Sequence, residues 1–181
     1  MNNTVAVFAG SRNGTSSAFN KHAFELGQLL AQGKHTVLWG GGQHGGMGAL
    51  SEGVASNGGQ MKAYIAQAYY NQNETFPKHI INAEPCTSDA ERNDIFMRAN
   101  FQIALNGGVG SLLEIVHALN HKVYHDKKSA PLIIISTDGF YNGLGNLLSN
   151  IIENEFNDSS AQGRYKIVST PHDAIQTLGL N

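Results

Sequence analysis

The chain has 181 residues, and its 12 lysines and arginines against 14 aspartates and glutamates give a net charge of −2. This length predicts one domain over residues 1–181. Without a basic excess, nucleic acid is not an expected partner. No apolar run approaches the roughly 18 residues of a membrane span, so we expect no membrane association.

Cysteine usage and the first residues indicate a cytoplasmic protein. The single cysteine, Cys86, cannot form an internal disulfide, and no Cys/His spacing typical of zinc surrounds it. The first residues have no basic start and only a short apolar run, which predicts a strand rather than a signal peptide. Charged residues make up only 14% of the chain, which favours self-association.

Apolar segments alternate with helical patterns along the whole chain. Strands are predicted at 4–9, 35–39, 61–65, 101–105 and 131–136, with a shorter one at 165–168. Helices are predicted at 17–32, 46–56, 88–99, 111–120, 141–156 and 171–178. Ser16 or Ser17 is the expected N-cap of the first helix and Gly33 its end. The irregular stretch 66–87 is long for a connection, and such loops often have a function or contact a partner.

This alternation predicts an α/β, Rossmann-like three-layer sandwich with a mostly parallel sheet flanked by helices. In such sheets, ligands bind outside the carboxyl ends of the strands. The chain has 21 glycines, against about 13 at average usage. The surplus gathers at 40–48 and at 107–110, where two predicted strands lead into helices.

The first glycine cluster, Gly40 to Gly48, follows the second predicted strand. Glycines allow close approach of a ligand, and the free N–H groups of the next helix attract anions, so one interpretation is a phosphate or nucleotide cradle. The other is a tight strand-to-helix turn. The cluster is not a dinucleotide fingerprint, since the first strand leads into Gly10-Ser11-Arg12-Asn13-Gly14, and no P-loop occurs.

The second cluster spans Asn106 to Glu114 and reads NGGVGSLLE. The backbone from Gly107 to Ser111 and the Ser111 hydroxyl can surround a phosphate at a helix start. Glu114 lies three residues after Ser111, so it can instead complete a capping box. The local pattern leaves both interpretations open.

Other chemistry has weaker support in the sequence. Arg92, on the predicted helix at 88–99, suits a phosphate or carboxylate, although a lone arginine on a helix is commonly solvated. His117 and His121 can share a helix face, but no third ligand is evident, so no metal site is predicted. No G-x-S-x-G elbow supports serine hydrolysis.

Taken together, four motifs resemble those of the Lonely-guy family, cytokinin riboside 5′-monophosphate phosphoribohydrolases often labelled lysine decarboxylases. The family patterns G-S-x-x-G, G-G-G-x-x-G-x-M-G, P-G-G-x-G-T-x-x-E and D-G-Y-Y-N occur here in order. They correspond to residues 10–14, 40–48 (within one residue of spacing), 106–114 and 138–142. The resemblance therefore covers nearly the whole chain.

The resemblance implies hydrolysis of the N-glycosidic bond of a nucleoside 5′-monophosphate to a free base and ribose 5-phosphate, without a cofactor. It assigns Glu114 as the catalytic carboxylate and Arg92 as its partner. It further implies a homodimer with the active site near the subunit interface. The expected substrate or phosphate contacts are Gly10, Ser11, Gly41, Gly42, Gly46, Met47, Asn93, Arg98, Gly107, Gly108, Val109, Gly110 and Ser111.

Some residues depart from the family pattern. Asn106 replaces a proline, Val109 an aromatic residue and Ser111 a threonine, changes that bear on pocket shape and base preference. Arg92 lies one residue closer to the second cluster than the family spacing, and one residue rotates a helical side chain by about 100°. Either a local adjustment restores Arg92 to the site, or Arg98 takes its place, or activity is lost.

Two other functions are compatible with parts of the sequence. Molybdenum-cofactor carrier proteins have the same fold and glycine-rich loops but bind a phosphorylated pterin without hydrolysing it. Hydrolysis requires Glu114 with an arginine in reach, whereas carriage does not. A lysine decarboxylase would need a lysine to hold pyridoxal phosphate, and neither glycine motif contains one.

Overall fold

The computed structural model describes residues 2–70, 83–125 and 130–180, and its strands form one parallel sheet. The strand order is β4-β3-β2-β1-β5-β6-β7, and each neighbouring pair is parallel. The strands are β1 Thr4–Phe8, β2 Thr36–Trp39, β3 Gln60–Ala66, β4 Ala83–Cys86, β5 Phe101–Ala104, β6 Leu132–Ile135 and β7 Tyr165–Val168. The predicted α/β fold is confirmed.

Helices cover both faces of this sheet. They are α1 Ser17–Gln32, α2 Gly45–Ser56, α3 Gln67–Tyr70, α4 Asp89–Met97, α5 Val109–Tyr124, α6 Asn142–Glu153 and α7 Pro171–Leu178. Two 3₁₀ turns occupy Thr137–Gly139 and Ser159–Arg164. Helix α1 begins as predicted, with the Ser16 side chain accepting a hydrogen bond from the Ala18 N–H, and Gly33 is its C-cap. None of the helices in the described ranges is long and apolar enough to cross a bilayer.

Strand β4 is the main element missing from the sequence prediction. It lies in the stretch 66–87, which was expected to be irregular, and pairs with β3 at the edge of the sheet. Its sequence, AEPC, has the exposed residues Glu84 and Pro85 in place of an apolar run. Proline is tolerated in such an edge strand because one side of the strand needs no hydrogen-bond donors. Residues 71–82 of the same stretch lie outside the described residues.

The core has two layers, one on each face of the sheet. Val5, Val7 and Trp39 point toward α1, α2 and α7, whereas Phe8 and Ile134 point toward α4, α5 and α6. Strands buried on both faces explain the continuous apolar runs of the sequence.

Part of the glycine surplus serves this packing. Gly27 of α1 and Gly53 of α2 lie where a Cβ atom would collide with the carbonyl oxygens of Leu50 and Phe24. The two helices therefore pack with their backbones in close approach. These glycines explain a helix contact and not a ligand.

The strand order places the expected ligand crevice at the centre of the sheet. After β1 the chain builds one half of the sheet through β2, β3 and β4, and it then returns to the other side of β1 as β5. In open α/β sheets, ligands bind at the carboxyl ends of the strands where the order reverses in this way. The carboxyl ends of β1 and β5 are therefore the place to look for a site.

Candidate active site

A cavity of about 1050 Å³ opens at the carboxyl ends of the central strands. Three connections form most of its wall: the β1 loop (residues 10–14), the β2 loop (residues 40–44) and the β5 loop (residues 105–108). The first turns of α1, α2, α4 and α5 also contribute to the wall. Both glycine clusters of the sequence therefore face one space.

The three loops are held together through backbone contacts. The Gly10 N–H donates to the Asn106 carbonyl oxygen at 3.2 Å, and the Met47 N–H donates to the Gly10 carbonyl oxygen at 3.1 Å. A Cβ atom on Gly10 would lie 3.0 Å from the Gly107 Cα. Gly45 has a φ of +60°, and a Cβ there would lie 2.6 Å from the Arg12 backbone. These glycines therefore allow the loops to approach one another.

Two glycines at the start of α5 have no such packing role. A Cβ on Gly108 or Gly110 would meet nothing within 4 Å, and neither residue has a positive φ. Both line the cavity. Their missing side chains leave open the space in front of the first backbone N–H groups of α5, which have no intrahelical partner.

Glu114 does not form a capping box with Ser111 in the structure. Helix α5 begins at Val109 with Gly108 as its N-cap, and no side chain caps it. Ser111 therefore lies within the first turn, and its side chain is buried. The helix starts two residues earlier than predicted because glycines at 108 and 110 weaken the sequence signal for a helix there.

Glu114 instead lies beside Arg92. The Arg92 Nη2 atom is 3.5 Å from Glu114 Oε1 and 3.3 Å from Asp89 Oδ1. The Arg92 and Glu114 side chains are 19% and 12% exposed, whereas Asp89 is 59% exposed. All three residues line the cavity, so a cation and two carboxylates meet at one wall.

The environment of Glu114 favours its neutral form. Burial raises the pKa of this carboxyl to about 7, the Arg92 charge opposes the rise, and the Asp89 charge adds to it. A carboxyl with this pKa is present in both its protonated and its ionised form near neutral pH. Such a shifted group in a cavity is a candidate for acid–base chemistry.

The buried Tyr141 side chain forms hydrogen bonds with the backbone of the β5 loop. Its hydroxyl donates to the Leu105 carbonyl oxygen at 3.1 Å and accepts from the Gly107 N–H. Its own N–H donates to Ser136 Oγ at 2.8 Å. Burial raises the pKa of Tyr141 to about 12, so the hydroxyl stays protonated at neutral pH.

An aromatic pair forms another part of the wall. Phe19 of α1 and Phe140 contact edge to face, with ring centroids 5.8 Å apart. The segment that carries Phe140 is attached to α1 because Ser16 Oγ donates to Asp138 Oδ2 at 2.7 Å. Asp138 has a φ of +54°, an unusual backbone conformation that this contact helps to hold.

The structure brings most of the predicted site residues to the cavity. Those lining it are Arg92, Glu114, Gly10, Ser11, Gly41, Gly42, Gly46, Met47, Gly107, Gly108, Val109, Gly110 and Ser111. Asn93 and Arg98 do not line it. Asn93 is buried on α4, and the exposed Arg98 forms the C-cap of the same helix. Of the two arginines, Arg92 is therefore the one beside Glu114.

The expected contacts did not include several residues that line the cavity, among them Asp89, Phe19, Phe140 and Asn106, although Asn106 was expected to affect the pocket shape. Phe140 lies in the segment matched to D-G-Y-Y-N, so that motif pointed to it. Asp89 lies three residues before Arg92, a spacing that puts both on one helix face. No signal in the sequence singled out Phe19.

Other chemistry finds no support among the described residues. Within residues 2–70, 83–125 and 130–180, no three His, Cys, Asp or Glu side chains are grouped to hold a metal ion. None of the lysines in those ranges lines the cavity. A pyridoxal-phosphate chemistry would need such a lysine.

The fold and cavity define an α/β protein with glycine-rich loops and a buried carboxyl–arginine pair at a helix N-terminus. The family model described as "Possible lysine decarboxylase" matches residues 47–178. The chain belongs to this family, the Lonely-guy family.

Curated relatives extend over nearly the whole chain. A protein of Oryza sativa subsp. japonica named "Probable cytokinin riboside 5'-monophosphate phosphoribohydrolase LOG4" is 30% identical over 97% of this chain and 76% of its own length. A protein of Arabidopsis thaliana named "Cytokinin riboside 5'-monophosphate phosphoribohydrolase LOG5" is 30% identical over 96% of this chain and 76% of its own length.

Solved structures share the fold at lower identity. The molybdenum cofactor carrier protein of Chlamydomonas reinhardtii is 17% identical, with a TM-score of 0.74 over 99% of this chain and 97% of its own. The molybdenum cofactor binding protein of Rippkaea orientalis is 22% identical, with a TM-score of 0.72 over 99% of this chain and 96% of its own. At these identities the likeness concerns the fold alone.

Proposed function

We propose that this protein hydrolyses the N-glycosidic bond of a nucleoside 5′-monophosphate, releasing the free base and ribose 5-phosphate. The observation that carries the proposal is the Arg92–Glu114 pair, 3.5 Å apart at the cavity wall, one turn beyond the open N-terminus of α5. A phosphate cradle and an acid–base carboxyl are thus adjacent on a single helix.

The phosphate would bind at the first turn of α5. The N–H groups there carry partial positive charge and have no intrahelical partners. Gly108 and Gly110 leave the space before them open, and the Ser111 side chain lies beside Gly107. The Tyr141 hydroxyl fixes the backbone on either side of Asn106, so the cradle is organised before a ligand arrives.

Glu114 would act on the sugar. Cleavage of the bond between C1′ and the base nitrogen develops positive charge on the ribose, which a nearby carboxylate stabilises. The same carboxylate accepts a proton from the attacking water while the water oxygen bonds to C1′. The bond between C1′ and the base nitrogen breaks, its electrons leave with the base, and the base takes up a proton from solvent, to which Glu114 then returns the proton that it accepted. The pKa of about 7 gives Glu114 both forms near neutral pH. Arg92 orients the carboxylate.

The base would occupy the remaining space. The cavity of about 1050 Å³ is large for a ribose phosphate alone, and Phe19 and Phe140 offer an apolar wall on which a flat ring can pack. An adenine or a substituted adenine, as in a cytokinin nucleotide, suits this wall. We also propose a cytoplasmic location, which agrees with the unpaired, buried Cys86 thiol, because reducing compartments keep thiols free.

We further propose that the protein forms a homodimer through α5. Val109, Leu112, Leu113 and Val116 are 84%, 40%, 56% and 50% exposed, and their spacing puts them on one helix face. Exposed apolar stripes of this kind mark interaction sites. Because Val109 and Leu113 also line the cavity, a second copy packed on this stripe would border the active site.

The direct test is incubation of the purified protein with AMP and with isopentenyladenosine monophosphate, following free base and ribose 5-phosphate by chromatography. The proposal expects release that requires Glu114. Tight binding of nucleotide or of a phosphorylated pterin without release would overturn hydrolysis and favour a carrier.

A further inference from the structure

The guanidinium of Arg92 is shared between two carboxylates. Its Nη2 atom lies 3.3 Å from Asp89 Oδ1 and 3.5 Å from Glu114 Oε1. The Arg92 Nε atom is buried and has no hydrogen-bond partner. The orientation of this side chain therefore depends on the two carboxylates at its tip.

Asp89 is not the N-cap of helix α4. The N-cap is Ser88, whose Oγ accepts from the Glu91 N–H at 3.2 Å. Glu91 Oε2 in turn accepts from the Thr87 N–H at 2.6 Å. The Ser88 bond caps the helix, and the Glu91 carboxylate bonds the residue before the N-cap. The Asp89 carboxylate remains available to Arg92, one turn further along the same face.

We propose that Asp89 is a positioning residue that holds Arg92 from one side, keeping the guanidinium from pairing fully with Glu114. The Glu114 carboxyl is then free to face the sugar of the substrate. This inference rests on the proposed hydrolysis, but the contact that it describes can be measured without turnover.

The charged groups around Glu114 agree with this role of Asp89. From α4, Arg92 favours the ionised carboxylate, whereas Asp89 disfavours it and raises the pKa. The buried Tyr141 hydroxyl, in the segment before α6, is close enough for the Glu114 charge to raise its pKa, and it is neutral below that pKa of about 12. Arg12 and His44 line the cavity from the β1 and β2 loops. Among these groups, Asp89 is the acid that contacts Arg92.

The test compares Asp89→Asn with Asp94→Asn. Asp94 is on the same helix, is exposed to a similar degree (65% against 59%) and lies near His117 rather than Arg92. The protonation of Glu114 as a function of pH is followed by NMR of ¹³C-labelled glutamate carboxyls. The Glu114→Gln variant, which lacks this carboxyl, identifies its resonance. Because Asp89→Asn removes a negative charge and releases Arg92 to Glu114, we expect the Glu114 titration to move to lower pH by roughly half a unit or more.

Activity provides the second readout. In Asp89→Asn the acid limb of the kcat profile should move to lower pH and the plateau value of kcat should fall several-fold, whereas Asp94→Asn should leave both unchanged. Asp89→Glu should restore much of kcat, because it retains the charge. An unchanged Glu114 titration in Asp89→Asn, or equal changes in both asparagine variants, would overturn the inference. A shifted titration in a protein that hydrolyses no nucleotide would instead reject the proposed function alone.

Discussion

The Tyr141 hydroxyl donates a 3.1 Å hydrogen bond to the carbonyl oxygen of Leu105, the last residue before the second glycine cluster. The same hydroxyl accepts from the Gly107 N–H. One buried side chain thus joins the two backbone groups on either side of Asn106. The shape of the β5 loop depends on this bridge.

Replacing Tyr141 with phenylalanine should loosen the loop while keeping the ring. We expect a loss of about 1 kcal/mol in the free energy of unfolding, because the Gly107 N–H and Leu105 carbonyl lose a partner. KM for the nucleotide should rise several-fold, since the proposed phosphate site would be less organised. Calorimetry and steady-state kinetics measure both. Tyr165→Phe on β7 is the control, and equal KM changes in the two variants would contradict this role of Tyr141.

Replacing Glu114 with glutamine should abolish turnover and leave nucleotide affinity largely intact. The amide has nearly the same shape, but it cannot perform the two proposed roles, which are to accept a proton from water and to carry the negative charge that would stabilise the ribose cation. Loss of acid–base catalysis alone is about 10²–10⁴-fold. Product release and isothermal titration with AMP measure the two effects. Glu52→Gln on the exposed face of α2 is the control, and full activity in Glu114→Gln would remove the assigned role.

The same substitution should change the pH dependence of stability. The pKa of Glu114 rises from 4.5 to about 7 on folding, so the folded state binds the proton more tightly and stability falls as pH rises through that interval. Above pH 7 the ionised carboxylate costs about 3 kcal/mol relative to its protonated form. Glu114→Gln cannot ionise, so it should melt several degrees above the wild type at pH 8 and close to it at pH 4. Equal melting differences at both pH values would contradict the raised pKa.

A substitution at Gly110 should have opposite effects on stability and on nucleotide affinity. A Cβ at this position meets nothing within 4 Å, so Gly110→Ala should stabilise α5 by up to about 1 kcal/mol. It should also weaken nucleotide binding, because the methyl group enters the proposed phosphate space. Gly143→Ala, also at the second residue of a helix and facing open space, should stabilise without changing affinity. Unchanged AMP affinity in Gly110→Ala would place the phosphate elsewhere.

The sequence predicted the fold class well because apolar strands buried on both faces have a strong signature. It missed β4 because Glu84 and Pro85 occupy an edge strand in which that signature is absent. The S-x-x-E spacing of Ser111 and Glu114 fits both a cap and a functional carboxylate. The actual start of α5 at Val109 excludes the cap.

The sequence could not predict contacts at the site between residues that lie far apart along the chain. The resemblance named Arg92 and Glu114, but the two residues are 22 positions apart on different helices, and the spacing left Arg98 as an alternative. Their contact depends on how α4 and α5 pack on the sheet. The sharing of Arg92 with Asp89 depends on a side-chain orientation that no local pattern encodes.

The apolar stripe on α5 yields the prediction about assembly. Leu112→Ser and Val116→Glu each place a polar group in the proposed interface without altering a cavity-lining residue. Because apolar contact would drive association, both variants should shift the mass measured by light scattering from dimer toward monomer. Leu147→Ser on α6, which replaces a leucine of similar exposure (55%), should leave the mass unchanged. A monomeric wild-type protein at working concentration would reject the dimer, and a dimer that persists in both α5 variants would assign the interface to another surface.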